Sequence, residues 1–202
     1  MKLNIVLKKS TVLLFCCLLA GVAGCGSRSK PATFYLLTSL PGAESIGVQA
    51  GTPMILSVGP VRLPSYLGRK QLLLRSGKNE LIIKEYSRWG EPLQENFQRV
   101  LIENLSVLLA TPQVYDYNNH ETKEPDFQLL IDVSRFDVTD DGLATLTAFW
   151  TINDSQGNQL LRNKSTLSTK SQSLESGAIV NTLNQMVIDF STELTRAIRS
   201  LQ

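Results

Sequence analysis

Three segments in the second half of the chain alternate apolar and polar residues with a period of two, the pattern of half-buried β-strands. They span 126–138, 143–153 and 159–170, and the stretches between them are rich in Asp, Asn, Ser and Gly. These residue types accept the backbone angles of tight turns. The spacing therefore predicts an antiparallel meander with one apolar and one polar face.

Two longer segments have the 3.6-residue periodicity of amphipathic helices. The first begins at Pro92, a residue favoured in the first helical turn, has Asn104 as a polar break in its stripe, and ends before Pro112; the second spans 174–201. Short β-rich segments occupy 34–40, 54–61, 71–75, 80–84 and 113–117. Together these elements predict an α+β domain, a mostly antiparallel sheet with two long helices packed on one face.

The N-terminal segment has the three parts of an export signal. Lysines come first, then an apolar run of about ten residues, short of the roughly 20 that span a bilayer, and then Val-Ala-Gly before Cys25. The pattern resembles a bacterial lipobox, with an ordinary secretory signal or an uncleaved anchor as the alternatives. We expect a signal peptide at 1–24, a lipidated tether at 25–33 carrying acyl chains such as palmitate on Cys25, and one domain at 34–202.

The residue after the cysteine bears on location. In the general sorting rule of enteric-type bacteria, Asp at this position favours retention in the inner membrane, and this chain has Gly26. We therefore expect a lipid-anchored protein of the outer membrane that faces the periplasm.

Cysteine and charge exclude several classes of function. Cys16 and Cys17 fall within the signal, so the mature domain has no thiol for disulfides or metal sites. The formal charge of +2 includes three lysines of the signal, and removing these three from the 20 basic residues leaves 17 against 18 acidic ones. A near-neutral body has no long-range attraction for nucleic acid or an anionic membrane surface. We expect membrane attachment to come from the lipid.

The sequence offers few candidates for catalytic or metal-binding residues. The one histidine, His120, lies in a polar loop, and Asp137, Asp140 and Asp141 surround a turn without the spacing of a calcium loop. Turn formation is the favoured interpretation. We predict no catalytic residue, metal or cofactor; a hydrolase that uses these groups with Asp132 is the alternative.

Three side chains are candidate partner contacts. Trp89 precedes the first helix, where it could pack against the core as a staple or anchor a partner, because Trp is enriched in interface hot spots. Tyr66 and Leu67 lie in a connector between strands and pose the same question. Both interpretations stay open for all three.

Several stretches in order resemble the ABC-type transport auxiliary lipoproteins of the PqiC kind. The carrying motifs are FYLL at 34–37, VGPVRLPSYL at 58–67, RKQLLLR at 69–75 and RWGEPL at 88–93, followed by a helix and the meander. The resemblance implies a non-enzymatic, periplasm-facing subunit of a system that moves lipid between membranes and supports envelope integrity. Its implied partners are an inner-membrane permease and an MCE-type conduit protein. A lipoprotein that binds lipid or a small ligand in a long hydrophobic cavity is the alternative, and a ring-shaped homo-oligomer is possible.

Overall fold

Eight strands and two helices follow one another in the described part of the chain, residues 30–42, 54–119 and 124–202 of a computed structural model. The strands are β1 (Thr33–Tyr35), β2 (Leu56–Arg62), β3 (Gln71–Ser76), β4 (Glu80–Trp89), β5 (Val114–Asp116), β6 (Phe127–Thr139), β7 (Leu143–Asp154) and β8 (Gln159–Lys170). The helices are α1 (Leu93–Leu109) and α2 (Ser176–Arg199), and a 3-10 turn covers Ser65–Gly68. The predicted signal peptide, Cys25, Gly26 and His120 lie outside the described residues.

Strand β6 is the centre of the sheet. Its partner on one side is β7, which in turn pairs with β8, and these three strands form the predicted meander. On its other side β6 pairs with β2 along its first half and with β3 at its end. The sheet continues through β5 beyond β2, and through β4 and β1 beyond β3.

The sheet is mixed, so the prediction of a mostly antiparallel sheet is wrong. The β3–β4, β6–β7 and β7–β8 pairs are antiparallel, whereas β1–β4, β2–β5, β2–β6 and β3–β6 are parallel. The antiparallel pairs join strands that follow each other across short turns, which the sequence reveals. Parallel pairs need long crossovers, so the pairing of Leu56 with Phe127 is set by tertiary packing.

Both helices pack on one face of the sheet, as the fold class predicts. Alternate residues of β6 and β7 point to them, and these residues join the helical stripes in one buried cluster. Phe97 of α1 meets Phe136 of β6 edge to face, with ring centroids 5.2 Å apart. Edge-to-face contact suits the charge distribution of aromatic rings and adds about 0.5–1.5 kcal/mol to the stabilisation from burial.

The segment after β1 runs between the helices, although the sequence predicts a strand as far as residue 40. It leaves the sheet because side-chain amides replace a neighbouring strand as its hydrogen-bond partners. Asn96 accepts from the Leu37 N–H at 2.7 Å and donates to the Leu37 carbonyl at 3.1 Å. Asn104 accepts from the Leu40 N–H at 2.7 Å, and Asn184 accepts from that of Thr38 at 3.1 Å. We call Asn96, Asn104 and Asn184 the asparagine clamp.

The clamp gives a stability prediction. Asn96→Ala leaves a buried N–H and a buried C=O of Leu37 without partners, and each such group costs about 1–3 kcal/mol. We expect the free energy of unfolding, measured by urea titration, to fall by about 2–4 kcal/mol. Asn181→Ala, an exposed change in the second turn of α2, is the matched control and should change it by no more than about 0.5 kcal/mol. Equal effects of the two changes would contradict the role of the clamp.

Candidate functional site

One side of β6 has a break between its two partner strands. Strand β2 pairs with β6 as far as Arg62 opposite Asp132, and β3 joins only where Leu74 lies opposite Val138. The chain crosses from β2 to β3 through the connector that contains the 3-10 turn. Tyr66 on this turn reaches a carboxylate of β6, so the connector lies over the break.

The carboxylate of Asp137 is the focus of this junction. Arg75 of β3 donates to its Oδ2 from Nε at 2.9 Å and from Nη2 at 2.7 Å, and Arg135 donates to its Oδ1 at 2.8 Å. The Tyr66 hydroxyl donates to Oδ2 at 3.1 Å and accepts from Arg75 at 3.3 Å. The Asp137 side chain is 1% exposed, against 20% for Arg75. We call these four residues the Asp137 network.

The network shifts the pKa values of Tyr66 and Arg75. Burial raises the pKa of the Tyr66 phenol, and the nearby Asp137 carboxylate raises it further. The hydrogen bond to Asp137 raises the pKa of Arg75. Tyr66 is therefore a neutral donor and Arg75 a permanent cation near neutral pH. Every buried side-chain nitrogen and oxygen of the described residues has a hydrogen-bond partner, and this includes the buried atoms of the network.

The other candidate contacts lie in the core beside this junction. Trp89 and Leu67 are each 6% exposed, and with Leu93 and Phe136 they line a gap of about 10 Å³, space for about one water molecule. The backbone N–H of Trp89 also donates to the backbone carbonyl of Lys70 at 2.7 Å. Their position agrees with the core interpretation. Contact of these side chains with a partner stays a prediction, and of the three only Tyr66 is partly exposed.

The Glu-Pro-Leu part of the tryptophan motif fixes the start of α1. Glu91 pairs with Arg99 two turns into the helix, and Arg99 also bonds Glu103 at 3.3 Å. These partners raise the pKa of Arg99, with the hydrogen bond to Glu91 as the largest cause. The motif thus sets how the chain enters α1, after Trp89 has entered the core.

The aspartates around the β6–β7 turn point to different partners. Asp140 accepts from the Ser76 hydroxyl at 2.7 Å, whereas Asp141 accepts from the Thr139 hydroxyl and from Lys170 at 3.2 Å. The hydrogen bond from Thr139 and the Lys170 ammonium lower the pKa of Asp141 to about 2. Among the described residues no group of three or more His, Cys, Asp or Glu side chains could hold a metal ion. These contacts agree with turn formation.

A groove of about 810 Å³ lies between α1 and the ends of β2 and β5. Its walls are mixed, with Gln98, Arg99 and Ile102 on the helix side and Tyr115 and Tyr117 on the other. The Tyr117 ring lies against Gly59, where a Cβ atom would come within 2.2 Å of the ring and where φ is +127°. Glycine is therefore required there. The groove is open and its walls are mixed, unlike the enclosed apolar cavity that an acyl chain would need.

A family model matches most of the chain. A family model described as "ABC-type transport auxiliary lipoprotein component" matches residues 35–195. The chain belongs to this family. The resemblance found in the sequence is confirmed. As a member of this family, the protein is a lipoprotein of the cell envelope and an auxiliary component of a transport system. None of the curated proteins compared with the chain matches it.

Two solved structures share the fold. One is an uncharacterized protein, 21% identical, covering 84% of this chain and 99% of that one with a TM-score of 0.70. The other is a DUF330 protein from Xanthomonas campestris, 18% identical, covering 81% of this chain and 93% of that one with a TM-score of 0.64. At these identities the likeness is one of fold alone.

The family motifs and the Asp137 network coincide. Tyr66 comes from the Leu-Pro-x-Tyr-Leu motif, Arg75 from RKQLLLR, and Trp89 from the tryptophan motif. Sequence reasoning missed Asp137 and Arg135 as members because a bulge between Val133 and Arg135 reverses which residues of β6 face the helices. A strict period of two carried past residue 133 puts Asp137 on the wrong face.

The network predicts the effect of neutralising its carboxylate. Asp137→Asn leaves two partly buried guanidinium groups without an anion, and we expect the free energy of unfolding to fall by about 2–3 kcal/mol, below the usual 3–5 because Arg75 and Arg135 retain some water. The pKa of Tyr66, followed by NMR of labelled tyrosine, should also fall. Asp132→Asn, in the same strand but 63% exposed and 3.8 Å from Arg62, should cost less than about 1 kcal/mol. An unchanged Tyr66 pKa would contradict the network.

Proposed function

We propose that this protein is an outer-membrane-anchored, periplasm-facing subunit of an ABC/MCE-type system for lipid transport between membranes, and that it docks or completes the conduit. Family membership supports the auxiliary role. The filled core is the observation that favours docking over cargo binding. A subunit of this kind supports envelope integrity by holding the end of the conduit at its membrane.

The filled core bears on the alternative, a lipoprotein that carries lipid itself. Binding sites for small molecules have volumes of about 300–1,000 Å³ and are enclosed and mostly apolar. Here the gap beside Trp89 in the core measures about 10 Å³, and the groove beside α1 is open to water and has mixed walls. Leu37, 1% exposed, fills the space between the helices where a chain of carbon atoms could otherwise lie.

The membrane anchor in this proposal is the lipid on Cys25. None of the described helices is long and apolar enough to cross a bilayer. Stable anchoring takes at least two membrane-binding signals, such as two acyl chains. A lipobox cysteine receives several acyl chains, so it meets this requirement alone. The proposed partners are the MCE-type conduit protein and the inner-membrane permease. A homo-oligomeric ring would offer a symmetrical seat for a conduit, and light scattering on the mature chain tests it.

The docking role predicts a specific set of captured proteins. Affinity purification of the tagged lipoprotein from solubilised envelopes should recover an MCE-type protein, identified by mass spectrometry, without stoichiometric lipid inside the washed, delipidated domain. Co-purified lipid at one molecule per chain, with no MCE-type partner, would favour the cargo-carrying alternative. Absence of both would contradict the proposed system.

The anchor predicts a change of membrane after one substitution. Gly26→Asp should move the protein from the outer-membrane to the inner-membrane fraction of a density gradient, because Asp after the lipidated cysteine is the retention signal. Gly26→Asn, of the same size but uncharged, is the control and should leave the protein in the outer membrane. A wild-type protein found in the inner membrane would contradict the predicted location.

A further inference from the structure

The sheet face opposite the helices is basic, although the mature chain is nearly neutral. Cross-strand partners share a face, so the strand pairing defines this surface. Among the described residues, the carboxylates Asp132 and Asp137 lie on this face, and Asp141 of the adjoining turn pairs with Lys170 at 3.2 Å. These carboxylates face six basic side chains: Arg62, Arg75, Arg135, Arg162, Lys164 and Lys170. We call this surface the basic face.

The opposite layer has no such excess. Helices α1 and α2 carry three arginines and four carboxylates. The charges that cancel in the composition are therefore separated between two sides of the domain. Separation of charge creates a field near one face that the net charge does not show.

A hollow of about 260 Å³ lies in the basic face. Arg62 of β2 and Arg162 of β8 border it, and Pro60, Leu130 and Phe149 form its apolar part. Asp132 lies 3.8 Å from Arg62, and both are largely exposed, so this pair is weak. No carboxylate of the described residues pairs with Arg162. The hollow therefore offers a guanidinium group that is available to an outside anion.

An exposed aromatic ring stands beside these charges. Phe149 is 42% exposed, and the Lys164 ammonium lies 5.4 Å from its ring centroid. Basic heads above an apolar ring are typical of surfaces that rest at the headgroup level of a bilayer, where the ring enters the acyl boundary and the charges meet phosphate.

The chain brings this face within reach of the membrane that the lipid would occupy. Strand β1 lies at an edge of the same sheet, where Phe34 is 63% exposed and pairs with Arg88. Cys25 precedes Phe34 by nine residues, which span at most about 30 Å when extended. The sheet thus stays close to the bilayer that holds the acyl chains.

We propose that the basic face rests on the surface of an anionic phospholipid bilayer, with Arg62, Arg162 and Lys164 binding headgroup phosphates and Phe149 inserted between headgroups. This inference deepens the proposed function, since it uses the same membrane, and it gives the anchored domain an orientation. The helices then point away from the bilayer, towards the periplasm.

Vesicle binding of the unacylated chain 26–202 tests the face without the lipid. This chain holds the whole compact unit and its core, and circular dichroism checks its fold. It should sediment with vesicles of phosphatidylcholine and phosphatidylglycerol but not with phosphatidylcholine alone. Each basic residue near an anionic surface contributes about 1 kcal/mol, so the double variant Arg162→Gln, Lys164→Gln should bind about 30-fold more weakly.

The control removes the same charge elsewhere. Arg196→Gln with Arg199→Gln changes two exposed residues of α2, on the other side of the sheet, and should leave binding within about twofold of the wild type, since charges beyond about 10 Å are screened. Equal losses in both double variants, equal binding to neutral vesicles, or no binding to either vesicle would overturn the proposal. Release by millimolar inorganic phosphate at constant ionic strength would also overturn it, by revealing a small-anion site.

The outcome is separable from that of the docking role. Vesicle binding that follows the predicted pattern while no MCE-type protein is captured would remove the proposed function and keep the basic face. Capture of the conduit protein without vesicle binding would do the reverse.

Discussion

The buried carboxylate of Asp137 fixes the part of the sheet on which the rest of the structure depends. Moving a carboxylate out of water costs several kcal/mol unless donors replace the lost solvent, and here the donors come from the 3-10 turn, from β3 and from β6 itself. Because β2 and β3 share one side of β6, the chain has to cross a break, and Asp137 holds it there. The connector positions Lys70, whose backbone carbonyl accepts from the backbone N–H of Trp89. Trp89 in turn leads into α1.

The polar side chains buried in the described domain bond one another and the backbone. The asparagine clamp bonds the segment after β1, and the Trp150 indole donates to Ser165, which in turn donates to Glu193 of α2. The buried polar side chains of the described core have hydrogen-bond partners, and the gap beside Trp89 holds about one water molecule. The surfaces of the domain differ in charge between the two sides.

Local features of the sequence predicted local structure well. Strand β8 covers the predicted 159–170, and the two helices lie within two residues of their expected ends, because periodicity and turn residues are encoded by neighbours in the chain. The parallel pairing of β2 with β6 depends on contacts between distant segments and leaves no such signal. The clamp was invisible for the same reason: Asn104 breaks the apolar stripe of α1, but its partner Leu40 lies 64 residues earlier.

The candidate site shows the same division between local and distant information. The motifs identified Tyr66, Arg75 and Trp89 as residues of interest, yet only the fold shows that they meet around Asp137. The charge of the mature chain likewise led to the expectation that attachment comes from the lipid alone. Composition adds charges over the whole surface, whereas strand register decides which face each one occupies. In this chain the register collects Arg62, Arg162 and Lys164 on one side. An anchored domain with such a face would not turn freely on its tether, and a fixed orientation would lower the entropic cost of docking a partner on the helix side.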